Sequence, residues 1–146
     1  MTAETVPVRI CLIDNDPVYT FGFKKIISSK TPGNQFINFS NGAQALTWLK
    51  NPFYVDILPD VIFLDINMPV MDGWEFMRGF AEIKPQLGKK ITIYIISSSI
   101  DLNDIYMAKN ISDITDYIFK PVSESQFNDI IANLPGGNDI KFTASN

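Results

Sequence analysis

The sequence predicts an α/β protein, a parallel sheet of five strands wound with helices on both faces. Three observations carry this. Five short runs of apolar, largely β-branched residues alternate with five stretches at helical spacing. The runs are nearly continuous in their apolar character, as strands buried on both faces are. Each run ends in turn formers such as Asp14-Asn15-Asp16-Pro17 or Asn67-Met68-Pro69.

In chain order, residues 1–7 form a short polar lead, expected to be flexible. Residues 8–13 form the first strand, interrupted only by Arg9. Pro17 suits the first position of a helix and Asp16 the cap before it. That helix runs to about Ser29, with Tyr19, Phe23, Ile26 and Ile27 on one face. A turn at 31–34 leads to a strand over 35–39. Ser40 or Asn41 caps a second helix carrying Ala45, Leu46, Trp48 and Leu49. Residues 51–59 are a connector, unusually apolar in Phe53, Tyr54 and Ile57, that packs down in part or meets a partner.

The third strand covers 60–64 and runs into Asp65. Asp72, three residues before Glu75, opens the third helix, which is expected to fade before Pro85. The fourth strand spans 91–96 and is followed by Ser97-Ser98-Ser99. Asp101 caps the fourth helix, and Asn110 is the expected left-handed stop. The fifth strand spans 115–119. After Lys120-Pro121, Ser123 and Gln126 form a capping box, and Val122 with Phe127 a hydrophobic staple, for a helix ended by Pro135-Gly136-Gly137. Residues 135–146 form a polar tail, so a single domain is expected over 8–134.

Composition excludes several classes. A chain of 146 residues, 46% hydrophobic and 19% charged, has the make-up of one globular domain. A net charge of −4 leaves no basic footprint for nucleic acid. The lone Cys11 cannot form an internal disulfide, and no apolar run reaches spanning length. These point to a cytoplasmic protein with neither nucleic acid nor membrane as partner. Histidine is absent, which removes His-based catalysis, His metal ligation and any phosphohistidine on this chain.

In a parallel sheet every strand opens at its carboxyl end on one rim, where ligands bind. The first strand delivers Asp14, Asn15 and Asp16, the third Asp65, the fourth Ser97 and Ser98, the fifth Lys120. Three carboxylates brought together repel unless a cation joins them. With oxygen donors and neither His nor another Cys, the fitting ion is hard, Mg²⁺ or Mn²⁺. An ammonium and a hydroxyl beside it complete a site suited to phosphoryl transfer onto a carboxylate. Asp16 has two candidate roles, helix cap and third ligand.

These residues resemble the receiver domain of two-component response regulators. The likeness spans roughly residues 8–134. It rests on the acidic cluster after the first strand, Leu64-Asp65-Ile66-Asn67-Met68-Pro69-Val70-Met71-Asp72-Gly73 after the third, the small hydroxyl pair after the fourth, and Phe119-Lys120-Pro121 after the fifth. The resemblance implies the flavodoxin-like receiver fold with strand order 2-1-3-4-5. It implies Asp65 as phosphoacceptor from a phosphohistidine of a histidine kinase or phosphotransfer protein. Asp14, Asn15, Asp65 and the main-chain carbonyl of Asn67 would bind Mg²⁺. Lys120 would hold a phosphoryl oxygen and precede a cis bond to Pro121. Ser97 would be the switch hydroxyl and Tyr117 the switch aromatic, while small Ser98 keeps the site open. The chain would be a stand-alone signalling phosphoacceptor, not an enzyme on a separate substrate. It would assist its own phosphorylation and dephosphorylation and signal to a downstream protein partner.

One departure from the family pattern stands out. Asn15 takes the place usually held by a second carboxylate. It motivates an alternative, a pseudo-receiver that binds proteins without phosphoryl chemistry. A small-molecule phosphatase fits less well, because Asn67 stands where such enzymes need a second carboxylate. A flavin site lacks a phosphate-cradling loop after the first strand.

Overall fold

The computed structural model describes residues 7–30 and 33–134, with no account of the side chains of 29 and 30. Residues 1–6 of the expected lead, part of the 31–34 turn, the Pro135-Gly136-Gly137 stop and the tail lie outside the described residues. The elements are β1 (Arg9–Ile13), α1 (Pro17–Lys30), β2 (Gln35–Phe39), α2 (Gly42–Leu49), a 3₁₀ helix (Pro52–Ile57), β3 (Val61–Asp65), α3 (Gly73–Leu87), β4 (Thr92–Ser97), α4 (Leu102–Lys109), β5 (Ile114–Phe119) and α5 (Glu124–Ala132). The sheet order is β2-β1-β3-β4-β5 and every pairing is parallel. Both the expected order and the strand–helix alternation hold.

The period of two along the central strands divides the interior into two cores. Ile10, Leu12, Val61, Phe63 and Ile118 pack with Phe23 and Ile27 of α1 and Phe127 and Ile130 of α5. Cys11, Ile13, Ile62, Leu64, Ile93 and Ile95 pack with Ala45 and Leu49 of α2, Phe76 and Phe80 of α3 and Ala108 of α4. Continuing the same alternation, Asp14, Asp65 and Lys120 fall on the α1–α5 side. Ser97 and Tyr117 fall on the α4 side.

Capping residues act as the sequence suggests. Asn41 wins over Ser40 because its side chain accepts from the Gln44 amide. Capping boxes join Asp72 to Glu75 and Ser123 to Gln126. Val122 and Phe127 are both buried in one core. The connector is less irregular than expected, since Asn51 caps its 3₁₀ helix and Tyr54 stacks on Trp48 with centroids 4.7 Å apart. Phe53 stays 83% exposed.

Two helix ends differ from expectation. Helix α3 does not fade before Pro85 but runs through it to Leu87, with Gly88 at φ 65° closing it. Proline there removes one bond in the last turn, where Ala81 is exposed and its carbonyl can meet water instead, while continuation buries Leu87. Asn110 is right-handed, at φ −92°. Its side-chain amide donates to the Tyr106 carbonyl at 2.9 Å, closing α4 without a left-handed residue.

Candidate functional site at the carboxyl rim of the sheet

Three charged side chains from β1, β3 and the end of β5 meet at the rim. The Lys120 ammonium lies 2.7 Å from Oδ2 of Asp14 and 3.5 Å from Oδ2 of Asp65. Asp14 is 1% exposed and Asp65 5% exposed. The other oxygen of each carboxylate is held by its own loop. Asp14 Oδ1 accepts from the Asp16 amide at 2.8 Å, and Asp65 Oδ1 from the Asn67 amide at 3.3 Å. These are Asx turns, so one short side chain fixes both the carboxylate and the turn that ends its strand.

The electrostatics follow from burial. Burial raises the Asp65 carboxyl above its ordinary range; Lys120 pulls it back down, and Asp14 pushes it further up. For Lys120 burial alone would lower the ammonium. The hydrogen bond to Asp14 and the charge of Asp65 outweigh it, and the group is raised. The raised lysine stays a fixed cation between the two carboxylates, while burial works against the charge of Asp65.

Asp16 does not join them. Its carboxylate accepts from the amides of Val18 at 2.9 Å and Tyr19 at 3.3 Å, as the cap of α1. The expected cluster of three carboxylates is therefore two carboxylates and a lysine. The cap geometry turns the third away, and among the described residues no three Asp, Glu, Cys or His side chains are grouped to hold a metal ion. Asn15 and Asn67 are exposed at the same rim. Asp14 Oδ2 is buried and is answered by the Lys120 ammonium. That acceptor, Asp65 and the neighbouring amide and carbonyl oxygens make a donor set suited to a hard divalent cation.

Ser97 is fully buried, and its hydroxyl accepts from the Ser99 amide at 3.0 Å. Tyr117 packs against the α4-side core, and its hydroxyl donates to the Ser99 carbonyl at 2.9 Å. Ser99 thus connects the two residues expected to act as a switch. Its own hydroxyl donates to Asp104 at 2.8 Å and accepts from the Asp101 amide at 3.1 Å, tying the same loop to α4. Sequence reasoning gave Ser99 no part in the switch; the signal for it was Ser-Ser-Ser standing just before two aspartates. Ser98 is exposed, and the bond between Lys120 and Pro121 is cis.

One neighbour of the site is absent from the expectation. Tyr19, in the first turn of α1, places its ring centroid 4.5 Å from the Lys120 ammonium. Its hydroxyl accepts from the Val122 amide at 3.4 Å, and burial raises it above the ordinary phenol range. Its place on the apolar stripe of α1 made it read as core.

Residues 10–132 match the family described as the response regulator receiver domain. Among curated relatives, the nitrate/nitrite response regulator NarL of Escherichia coli is 32% identical over 92 residues, which cover 63% of this chain and 39% of that protein. Among solved structures, a two-component response regulator from Cytophaga hutchinsonii superposes with a TM-score of 0.77 at 24% identity, covering 94% of this chain and 99% of that one. The phosphorylated cyanobacterial phytochrome response regulator RcpA superposes at 0.67 with 26% identity and 94% coverage of both chains. The Mn²⁺-bound response regulator Rcp1 does so at 0.65 with 22% identity, covering 94% and 95%. The chain spans less than two thirds of the length of the first curated relatives it matches. With a family match across most of its length and an acidic rim answered by a lysine, the chain belongs to the response regulator receiver domain family.

Proposed function

We propose that this receiver domain accepts a phosphoryl group on Asp65 from a phosphohistidine of a sensor kinase or phosphotransfer protein. One observation carries the reading: Lys120 bridges Asp14 and Asp65 at the rim, a fixed cation beside a buried nucleophile. In the transfer an Asp65 oxygen bonds to phosphorus while the P–N bond to the donor imidazole breaks. The electron pair goes to that nitrogen. The Lys120 ammonium, already desolvated, faces the transferring oxygens and stabilises their charge.

A divalent cation, Mg²⁺ or Mn²⁺, would be held by Asp14, Asp65, Asn15 and the Asn67 carbonyl, and would add charge neutralisation that one ammonium does not supply. RcpA in its phosphorylated form and Rcp1 with Mn²⁺ support this by family likeness. Phosphoryl oxygens at Asp65 would compete for the Ser97 hydroxyl, now held by the Ser99 amide. Drawing Ser97 away alters the loop whose carbonyl anchors Tyr117, and the change reaches α4 and β5, the surface offered to a partner protein.

Incubation with acetyl phosphate and Mg²⁺ should add one acid-labile phosphoryl group, read by intact mass. Labelling that persists in Asp65→Asn sinks the assignment. Asn15, together with the turning of Asp16 to its cap, favours a second reading, a phosphorylation-independent binding module. Trp74 lies in the first turn of α3 near the rim, so a fluorescence titration separates the two. No response to millimolar Mg²⁺ favours the module.

A further inference from the structure

We propose that Tyr19 is a positioning residue for Lys120, holding its ammonium against the acidic pair for the phosphoryl transfer proposed above, on which this inference rests. The ammonium is enclosed on three sides: Asp14 at 2.7 Å, Asp65 at 3.5 Å and the Tyr19 ring centroid at 4.5 Å. A cation this close to an aromatic face is attracted by the ring quadrupole. Lysine carries its charge on a flexible four-carbon stem, and an unrestrained ammonium would sample many positions.

The second end of Tyr19 acts on the same segment. Its hydroxyl accepts from the Val122 amide, two residues beyond Lys120. Ring and hydroxyl therefore bracket the turn Lys120-Pro121-Val122, whose next residue, Ser123, caps α5. Tyr19 is itself fixed from both sides. Its amide donates to Asp16, the cap of α1, and its ring packs 6.0 Å from that of Phe23. Asp16 thus reaches the site through the helix it starts.

The choice of an aromatic residue has a physical reason. A third carboxylate would hold the ammonium more strongly, but it would repel an incoming phosphoryl group. A neutral ring confines the cation and adds no negative charge beside the nucleophile. With acetyl phosphate as donor, an Asp65 oxygen bonds to phosphorus and the P–O bond to acetate breaks. Acetate leaves with the electron pair, and Lys120 keeps its proton throughout.

The test uses the full chain with Tyr19→Phe, Tyr19→Leu and Tyr19→Met, and two readouts. The first is the rate of labelling by acetyl phosphate in Mg²⁺, followed by intact mass. The second is the ¹H–¹³C resonance of the Lys120 ε-methylene in protein with ¹³C-lysine, which the ring current of Tyr19 moves upfield without any phosphoryl chemistry. Tyr19→Phe keeps the ring and should label within about twofold of wild type with the upfield shift retained. Tyr19→Leu should lose the shift and label about tenfold more slowly. Tyr19→Met fills the space without a π face and repeats that comparison should Leu fail to fold. Wild-type labelling rates in the folded Leu or Met variant overturn the inference, as does a Phe variant as slow as they are. A wild-type protein that shows the shifted ε-methylene but takes no label overturns the phosphoacceptor reading instead.

Discussion

The Lys120 ammonium stands nearer to Asp14, at 2.7 Å, than to Asp65, at 3.5 Å. Lys120 is therefore first the counter-ion of a carboxylate that is 1% exposed. Replacing it with methionine leaves that charge buried and unanswered. Lys120→Met should cost about 2 kcal/mol in urea denaturation, less than the ~3–5 kcal/mol for breaking a fully buried pair, because the lysine retains some contact with water. An unchanged midpoint would contradict this. The pH dependence has a definite sign. The folded Lys120 is raised above its ordinary 10.5, so its stabilisation is complete below 10.5 and is lost as pH rises through the folded value.

Asp65 has the same sign in an acidic window, but there the raised value means that its charged form is disfavoured. Burial and Asp14 raise its carboxyl above the ordinary 3.8, even with Lys120 opposing. The folded protein then binds its proton more tightly than the unfolded chain does, and stability falls as pH rises from 3.8 through the folded value. Asp65→Asn keeps the shape and removes the charge. It should raise stability at neutral pH by about 1 kcal/mol, as expected when a buried charge disfavoured by its surroundings is removed. For a chain of this size that is about 2–4 °C in Tm. The advantage should shrink as pH falls toward 4. An Asn variant less stable than wild type at pH 7 without metal would refute the account.

The fold and the trio were legible because each rests on a strong local signal. Apolar runs ending in Asp14, Asp65 and Lys120 define both the strands and the rim, and parallel topology does the rest. Asp72, Asp101 and Ser123 announced their helices through side chains that cap the next turn. What was not legible depends on tertiary packing. The allegiance of Asp16 was open until α1 was seen to use its carboxylate. Pro85 argued for a helix end, but burial of Leu87 overrides one missing hydrogen bond. Tyr19 could not be told from a core residue, because its meeting with Lys120 joins positions a hundred residues apart.

Gly73 ties helix α3 to the strand that ends in Asp65. A Cβ built there would stand 2.7 Å from Ile66 Cα and 3.0 Å from the Asp65 carbonyl oxygen, both backbone. The Gly73 amide donates to the Ile66 carbonyl at 3.0 Å, so the contact cannot open without losing that bond. Gly73→Ala should therefore destabilise by about 1–3 kcal/mol, as overpacking does. It does so even though alanine is about 1 kcal/mol the better helix former. Because the displaced backbone adjoins Asp65, labelling by acetyl phosphate should slow as well. Wild-type stability for Gly73→Ala would show that this approach is looser than the geometry says.

Val70 carries strain on the same loop. It is the one non-glycine residue among those described with positive φ, at 74°, and it is 87% exposed. The Met71 amide donates to the Pro69 carbonyl at 3.0 Å across it, closing a γ-turn of the rarer hand. A β-branched side chain in that region is strained by about 1–3 kcal/mol, and no burial here compensates. Glycine removes the strain but makes the unfolded chain freer by about 0.4–1 kcal/mol. The balance favours the variant, so Val70→Gly should stabilise by about 1 kcal/mol, seen as a higher urea midpoint at unchanged slope. Val70→Ala should gain less, because it keeps a Cβ at the same positive φ. If Val70→Gly is less stable than wild type, the turn is held by contacts of the valine side chain, and its strain does not set the stability of this loop.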